Sequence, residues 1–403
     1  MKNKKGILFS VMAIFLLSPL VLLTISHTET MSGYGEKVGE IVRLKAGFFF
    51  LQSIDEDLER GISIVGKRSI TSAINYVVSE GETLEYPEGD LEELFKNGTL
   101  HGEEVALMNM TTIYNWKNEV KDLSSERGFL VNISFLGLDI GMKDSYNVLF
   151  SLNYSLKLTD KNGVFSFTKN YSKNIGVPIT GLEDPLFSLN TGGKVSLPIE
   201  KSHYDSYVSQ LSTGMGGNGF AGGESIITDD ISNIQNKDEK ILVTSNADTS
   251  DVNNFKAIIM EENTTKIEIP YVKNDEVLNT TPNNTRLAVL GNKGEVWNIS
   301  KLYEVWEEQL YVSGNGPSFL DRLGGKLNNS YPGKGIETFV VKDKLKEWGI
   351  STKYKSVVDH VYFSDKSVHN FNIKGMEDSF MVDNETDLNR THTQIYGLEE
   401  LKY

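Results

Sequence analysis

Six histidines and no cysteine bound the chemistry open to this chain of 403 residues. A thiolate nucleophile, an iron–sulfur cluster, a cysteine-held zinc ion and a disulfide framework are thereby excluded. His27, His101, His203, His360, His369 and His392 stand apart in the sequence, with no pair at metal-ligand spacing and no H-E-x-x-H run. Asp359-His360, in a segment that reads as a strand, could orient an imidazole, but no G-x-S-x-G nucleophile accompanies it. Asp383-Asn-Glu-Thr-Asp387 alternates oxygen ligands as a calcium loop does, yet it lacks that loop's central glycine and its distal glutamate, and a polar loop is expected there. Gly217-Asn-Gly-Phe-Ala-Gly222 spells G-x-G-x-x-G without the strand before it and the helix after it that would hold a pyrophosphate. The 55 acidic residues offer many carboxylate pairs for glycoside hydrolysis and no means of choosing one. No catalytic, cofactor-binding or metal residue is singled out, and the expectation is a protein that is not an enzyme.

Modification chemistry is better represented. Asn-x-Ser/Thr acceptors occur at Asn97, Asn109, Asn132, Asn153, Asn170, Asn263, Asn279, Asn283, Asn298, Asn328, Asn384 and Asn389. The strand-like segment from Val148 to Leu158 puts its apolar residues on one side and Asn153 on the other, and Asn170 shares a polar face with Ser166 and Thr168. Both asparagines should therefore face solvent, where a glycan can attach.

The N-terminus sets an expectation of export. Lys2, Lys4 and Lys5 precede an uncharged apolar run from Ile7 to Ile25, close to the ~20 residues that cross a bilayer. A kink at Pro19 is compatible with a span, and Thr24 and Ser26 leave signal-peptidase cleavage as the competing reading. The expected arrangement is a single-pass membrane protein held in the lipid bilayer through residues 7–25, its N-terminus cytoplasmic and its bulk extracellular. A net charge of −15 argues against nucleic acid as a partner.

Around these residues the elements read as α+β. An N-terminal transmembrane helix should continue into a long amphipathic helix, or two in tandem, because apolar residues recur at helical spacing from Val38 to Val78. A further helix is expected near Val105 to Leu123. Period two then takes over at Phe129–Ile140 and Val148–Leu158, and Asp160-Lys-Asn-Gly163 supplies a hairpin turn into Val164–Tyr171, an antiparallel meander. Beyond a glycine-rich stretch come strands at Ile241–Thr244, Phe255–Met260, Lys266–Val272, Arg286–Leu290, Val296–Ile299, Val357–Phe363 and Phe371–Lys374, with helices at Leu302–Leu310 and Lys342–Trp348. The division that follows is 1–26 for the basic region and span, 27–126 helical, 127–210 a β-sheet lobe, 211–226 a linker or loop, and 227–403 a second α+β lobe.

The N-terminal Lys4-Lys5-Gly6-Ile-Leu-Phe-Ser-Val11 resembles the processing region of type IV prepilins and of archaeal pilin-like surface proteins. The stretch from Ile54 to Gly81, with Gly66-Lys-Arg-Ser69 and Ile74-Asn-Tyr-Val-Val78, is similar to that class, as are Gly181-Leu-Glu-Asp-Pro-Leu186 and Pro317-Ser-Phe-Leu-Asp-Arg322. The resemblance implies prepilin-type cleavage between Gly6 and Ile7; taken with the asparagine acceptors, the expectation is a pilin-like, glycosylated surface protein with an adhesive or envelope role whose partners are other pilin-like subunits or surface glycans. Val11 stands where the bacterial members carry glutamate, which favours a minor subunit or a plain anchored protein over bulk filament. The alternative is an anchored extracellular hydrolase acting on polysaccharide or peptide.

Overall fold

The computed structural model describes residues 35–212, 224–227, 232, 234–237, 240–244, 257–260, 288–290, 292, 296–387 and 390–403. Within these the chain is α+β and falls into two compact units, one of residues 35–76, 84–143 and 147–178, the other drawn from 77–83, 144–146 and 179–403.

The first unit is organised by helix α1, Gly35–Glu80, 46 residues and about 70 Å long at 1.5 Å per residue. Leu51, Ile54, Leu58, Ile62 and Val65 bury one face of it at steps of three and four. Against that face lies a sheet of three strands, β1 (Phe129–Asp144), β2 (Asn147–Asp160) and β3 (Ser166–Pro178), in that spatial order. β2 is central, and its alternate residues Val148, Phe150, Leu152, Tyr154, Leu156 and Leu158 are all buried. Gly66 lets helix and sheet approach, since a Cβ there would lie 2.9 Å from Val177 and 3.1 Å from Phe150. Charges tie the two layers at their edge: Asp55 accepts from Tyr154 Oη at 2.8 Å and from Lys173 Nζ at 2.7 Å. The β2–β3 turn closes as its sequence implies. Gly163 adopts a positive φ of 75°, and Asp160 accepts from Asn162 N and from Arg43 Nε of α1.

The expected N-terminal transmembrane helix requires correction, and with it the single-pass membrane location. Among the described residues no helix is long and apolar enough to cross a membrane. α1 is long enough, but Asp55, Glu56, Asp57, Glu59 and Arg60 crowd its middle, where hydrocarbon would leave them unsolvated. Residues 7–25, and Gly6 and Ile7 at the expected processing position, lie outside the described residues.

The second unit is built from short elements. Two antiparallel pairs, Val312–Gly314 with Gly335–Glu337 and Asn370–Asn372 with Met381–Asp383, enclose a core with Leu302, Val305, Trp306, Phe339, Val358, Val361, Phe380 and Tyr396. Glu224–Ile227, Lys240–Thr244 and Ala257–Met260 form a parallel three-stranded sheet. Ala288–Leu290 and Val296–Asn298 pair antiparallel beside Ser209–Ser212. One expected strand is a helix: of Val357–Phe363, residues Asp359–Phe363 form a helical turn. Its β-branched and aromatic residues have strand propensity, but tertiary contacts override it. Val358 pairs with Phe339 in an isolated bridge, and the Asp359 carboxylate then accepts its own helix's first free N–H, from His360, at 2.7 Å. The expected strand Lys266–Val272 and the glycine-rich Gly217–Gly222 run lie outside the described residues.

Candidate metal centre

The site grows from a fully buried carboxylate. Glu337 ends the strand Gly335–Glu337; glycines 314 and 316 leave room for its side chain, and Gly335 lets its strand approach the Gly316 backbone. A Cβ on Gly314 would fall 2.5 Å from the Glu337 carboxyl carbon, one on Gly316 2.4 Å from the Ile336 carbonyl oxygen, and one on Gly335 1.8 Å from the Gly316 carbonyl oxygen. At Gly316 and Gly335 no other residue fits without moving backbone, and at Gly314 a side chain would displace the Glu337 carboxylate itself. The carboxylate accepts from Tyr396 Oη on Oε1 at 2.8 Å and from Gly316 N on Oε2 at 3.2 Å.

Two histidines converge on Oε2. His392 opens the helix His392–Ile395, which starts with a reciprocal capping box between Thr391 and Gln394. Its Nδ1 donates to Asp383 Oδ1 at 2.7 Å, which leaves Nε2 facing Glu337 Oε2 at 3.5 Å. Asp383 is itself fixed by Ser356 Oγ and by Glu385 N. His360, on the helix Asp359–Phe363, turns its Nε2 to the same oxygen at 3.8 Å. That nitrogen is buried and has no hydrogen-bond partner among the described residues. The three donor atoms lie within 4.8 Å of one another.

His360 is anchored from behind. Its neighbour Asp359 accepts from Arg322 Nη2 at 2.8 Å, and Arg322 Nη1 reaches Asp184 at 2.6 Å, where Tyr311 Oη also donates. All four side chains are buried. Asp184 and Arg322, 138 residues apart in the sequence, meet in one buried ion pair. Burial raises the Asp184 pKa, against the opposing pull of Arg322.

The electrostatics of the centre favour positive charge. Burial opposes an imidazolium at His392, but Glu337 and Asp383 override it and push its pKa up to about 10. Burial likewise opposes ionisation of Glu337, and the two histidines override it to hold the carboxyl well below the usual carboxylate range. With Nδ1–H committed to Asp383, neutral His392 would present a lone pair to the Glu337 oxygen, and two acceptors cannot face each other across a dry gap. A proton can join two of the three atoms, but 3.5 Å and 3.8 Å exceed good hydrogen-bond lengths. Those separations approach the roughly 3.3–3.6 Å between ligands of a tetrahedral ion with 2.0–2.2 Å bonds. A His392 nitrogen oriented by a carboxylate on its far side is also the usual support for a metal-bound imidazole. Ser356, the serine beside this centre, donates to Asp383 and not to a ring nitrogen, so it forms no serine–histidine relay here.

Sequence spacing did not disclose this grouping. His360 and His392 stand among scattered histidines in the sequence, and nothing there marks Glu337. Asp383, weighed as the first ligand of a calcium loop, is fully buried and turned towards His392. The signals that could have pointed here are glycines 314, 316 and 335 beside one glutamate, and the T-x-x-Q cap that places His392 at a helix start.

Of the asparagine acceptors, Asn97, Asn109, Asn132, Asn153, Asn170, Asn328 and Asn384 are exposed. Asn298 is half-buried, with Oδ1 accepting from Ser300 N at 2.9 Å. Asn263, Asn279, Asn283 and Asn389 lie outside the described residues. No family model matches the chain, and neither a curated protein nor a solved structure matches it.

Proposed function

We propose that the second unit is a metal-stapled fold, in which a divalent transition-metal ion held by Glu337 Oε2, His360 Nε2 and His392 Nε2 fastens three separate chain segments together. The observation that carries this reading is the buried, unpartnered His360 Nε2, aimed at an oxygen that already faces a second imidazole nitrogen. Two nitrogens and one oxygen suit zinc first among the common ions. The role is structural because the donor atoms are closed off: Glu337 is 0% and His392 2% exposed, and the half-buried His360 has its Nε2 atom buried. A structural ion contributes its binding free energy directly to folding.

The test is elemental analysis of protein purified without chelators. The expected result is one zinc-class ion per chain, lost in His360→Ala and in His392→Ala. Wild-type protein that takes up no more metal than His360→Ala after incubation with excess Zn²⁺ would sink the proposal.

A second reading, that the chain carries N-linked glycans, draws support from the seven exposed acceptor asparagines. Mass spectrometry of peptides spanning Asn97 and Asn153 from the natural source tests it, and bare asparagine at both would end it.

A further inference from the structure

The first unit has an uncovered apolar groove of about 440 Å³ between α1 and β3, within the range of small-molecule sites. Leu44, Phe48 and Leu51 form one wall, and Phe165, Phe167 and Tyr171 the other. Its depth depends on Gly47: a Cβ there would lie 2.2 Å from the Phe165 ring, so the ring rests directly on the helix backbone. The groove is open at its lip, where Phe48 is 66%, Leu44 54% and Phe167 41% exposed. Apolar side chains grouped this way in water mark a binding surface more often than scattered exposed ones do.

The polar groups of the groove are unequally engaged. Asp55 is neutralised by Lys173 and also accepts from Tyr154. Lys169, also at the groove, rests its ammonium 4.9 Å from the Tyr171 ring centre, and among the described residues no carboxylate pairs with it. An apolar trough with one uncompensated cation complements a ligand having an apolar tail and a single negative head.

We propose that this groove binds a single-chain amphiphile with a carboxylate head group, its tail lying along Leu44, Phe48 and Phe167 and its head at Lys169. The class is a free long-chain carboxylate. A second copy of the chain is the competing occupant, and it would have to bring its own anion to Lys169.

Titration of the full chain with dodecanoate below its micelle concentration, followed calorimetrically, tests the inference. Saturable binding at one site is expected, weakened roughly three- to tenfold by Lys169→Ala and removed by Phe48→Ser. Both side chains are exposed or edge-strand residues whose replacement leaves the buried core intact. Dodecanol should bind wild type and Lys169→Ala alike, which isolates the head-group contact. Absence of saturable binding, or equal binding in wild type and both variants, overturns the proposal. So does sedimentation in which Phe48→Ser converts a dimer to a monomer, because the groove would then be an interface between copies.

Discussion

Tyr396 donates its phenolic hydrogen to Glu337 Oε1 at 2.8 Å, so the oxygen that does not face the histidines is occupied by the C-terminal segment. This contact orients the carboxylate and leaves Oε2 for the imidazoles. Tyr396→Phe would keep the ring's packing and strand a buried acceptor. We expect a stability loss of about 1–3 kcal/mol, read from urea unfolding of metal-free protein. A variant as stable as wild type would show that water replaces the hydroxyl.

Asp383 sets the tautomer of His392 and supports its basicity. Asp383→Asn keeps the shape but can present its amide to Nδ1 and turn the ring's lone pair the wrong way. Zinc affinity, measured by competition with a chromophoric chelator, should fall about 10- to 100-fold. Unchanged affinity would place His392 outside the coordination shell.

Arg322 is shared between two buried carboxylates and has no solvent to fall back on. Removing it in Arg322→Met leaves Asp184 and Asp359 facing each other without a cation, at an expected cost of about 3–5 kcal/mol. Arg322→Lys should recover little of this, since one ammonium cannot make the forked contacts to Asp184 and Asp359. Denaturation midpoints of the three proteins decide the matter, and a lysine variant equal to wild type would contradict the geometry.

Lys342 supplies the pH dependence. Its ammonium donates to the carbonyls of Lys355 and Ser379, and burial, helped by Lys346, lowers its pKa from 10.5 to about 8. Because the folded value lies below the unfolded one, the unfolded chain binds more protons between pH 8 and 10.5. Folding therefore bears the full cost of charging below pH 8, and that cost is relieved as pH rises through the window. His392 titrates in an overlapping range, so the informative quantity is the stability of wild type minus that of Lys342→Met. This difference should grow from pH 7.5 to pH 10, and a flat or falling difference would refute the assignment.

The first unit was largely legible from its residues. Alternation from Val148 to Leu158 specified the central strand, Asn162-Gly163 the turn, and the three-and-four spacing in α1 its buried face. These patterns are local, and each repeats often enough to outweigh noise. The candidate metal centre is not legible, because its donor residues sit on a three-residue strand and two helices of four and five residues, too short for any period to register. Val357, Val358 and Val361 drew the reading towards a strand where Arg322 and the Phe339–Val358 bridge impose a helical turn. The buried pair between Asp184 and Arg322 is separated by most of the second unit's sequence, and single residues of opposite charge carry no sign that they will meet.

Tyr146 donates to the Tyr311 carbonyl at 2.8 Å, although it is reached only by way of the turn between the first two strands of the meander. Val77–Thr83 likewise belong with residues 179–403. A fragment cut at Ile179 would therefore arrive without Tyr146, and with the hydrophobic seat of the fully buried Val77 empty. The half of the molecule that holds the imidazoles is a single body threaded by three stretches of chain, and isolating it calls for grafting rather than truncation.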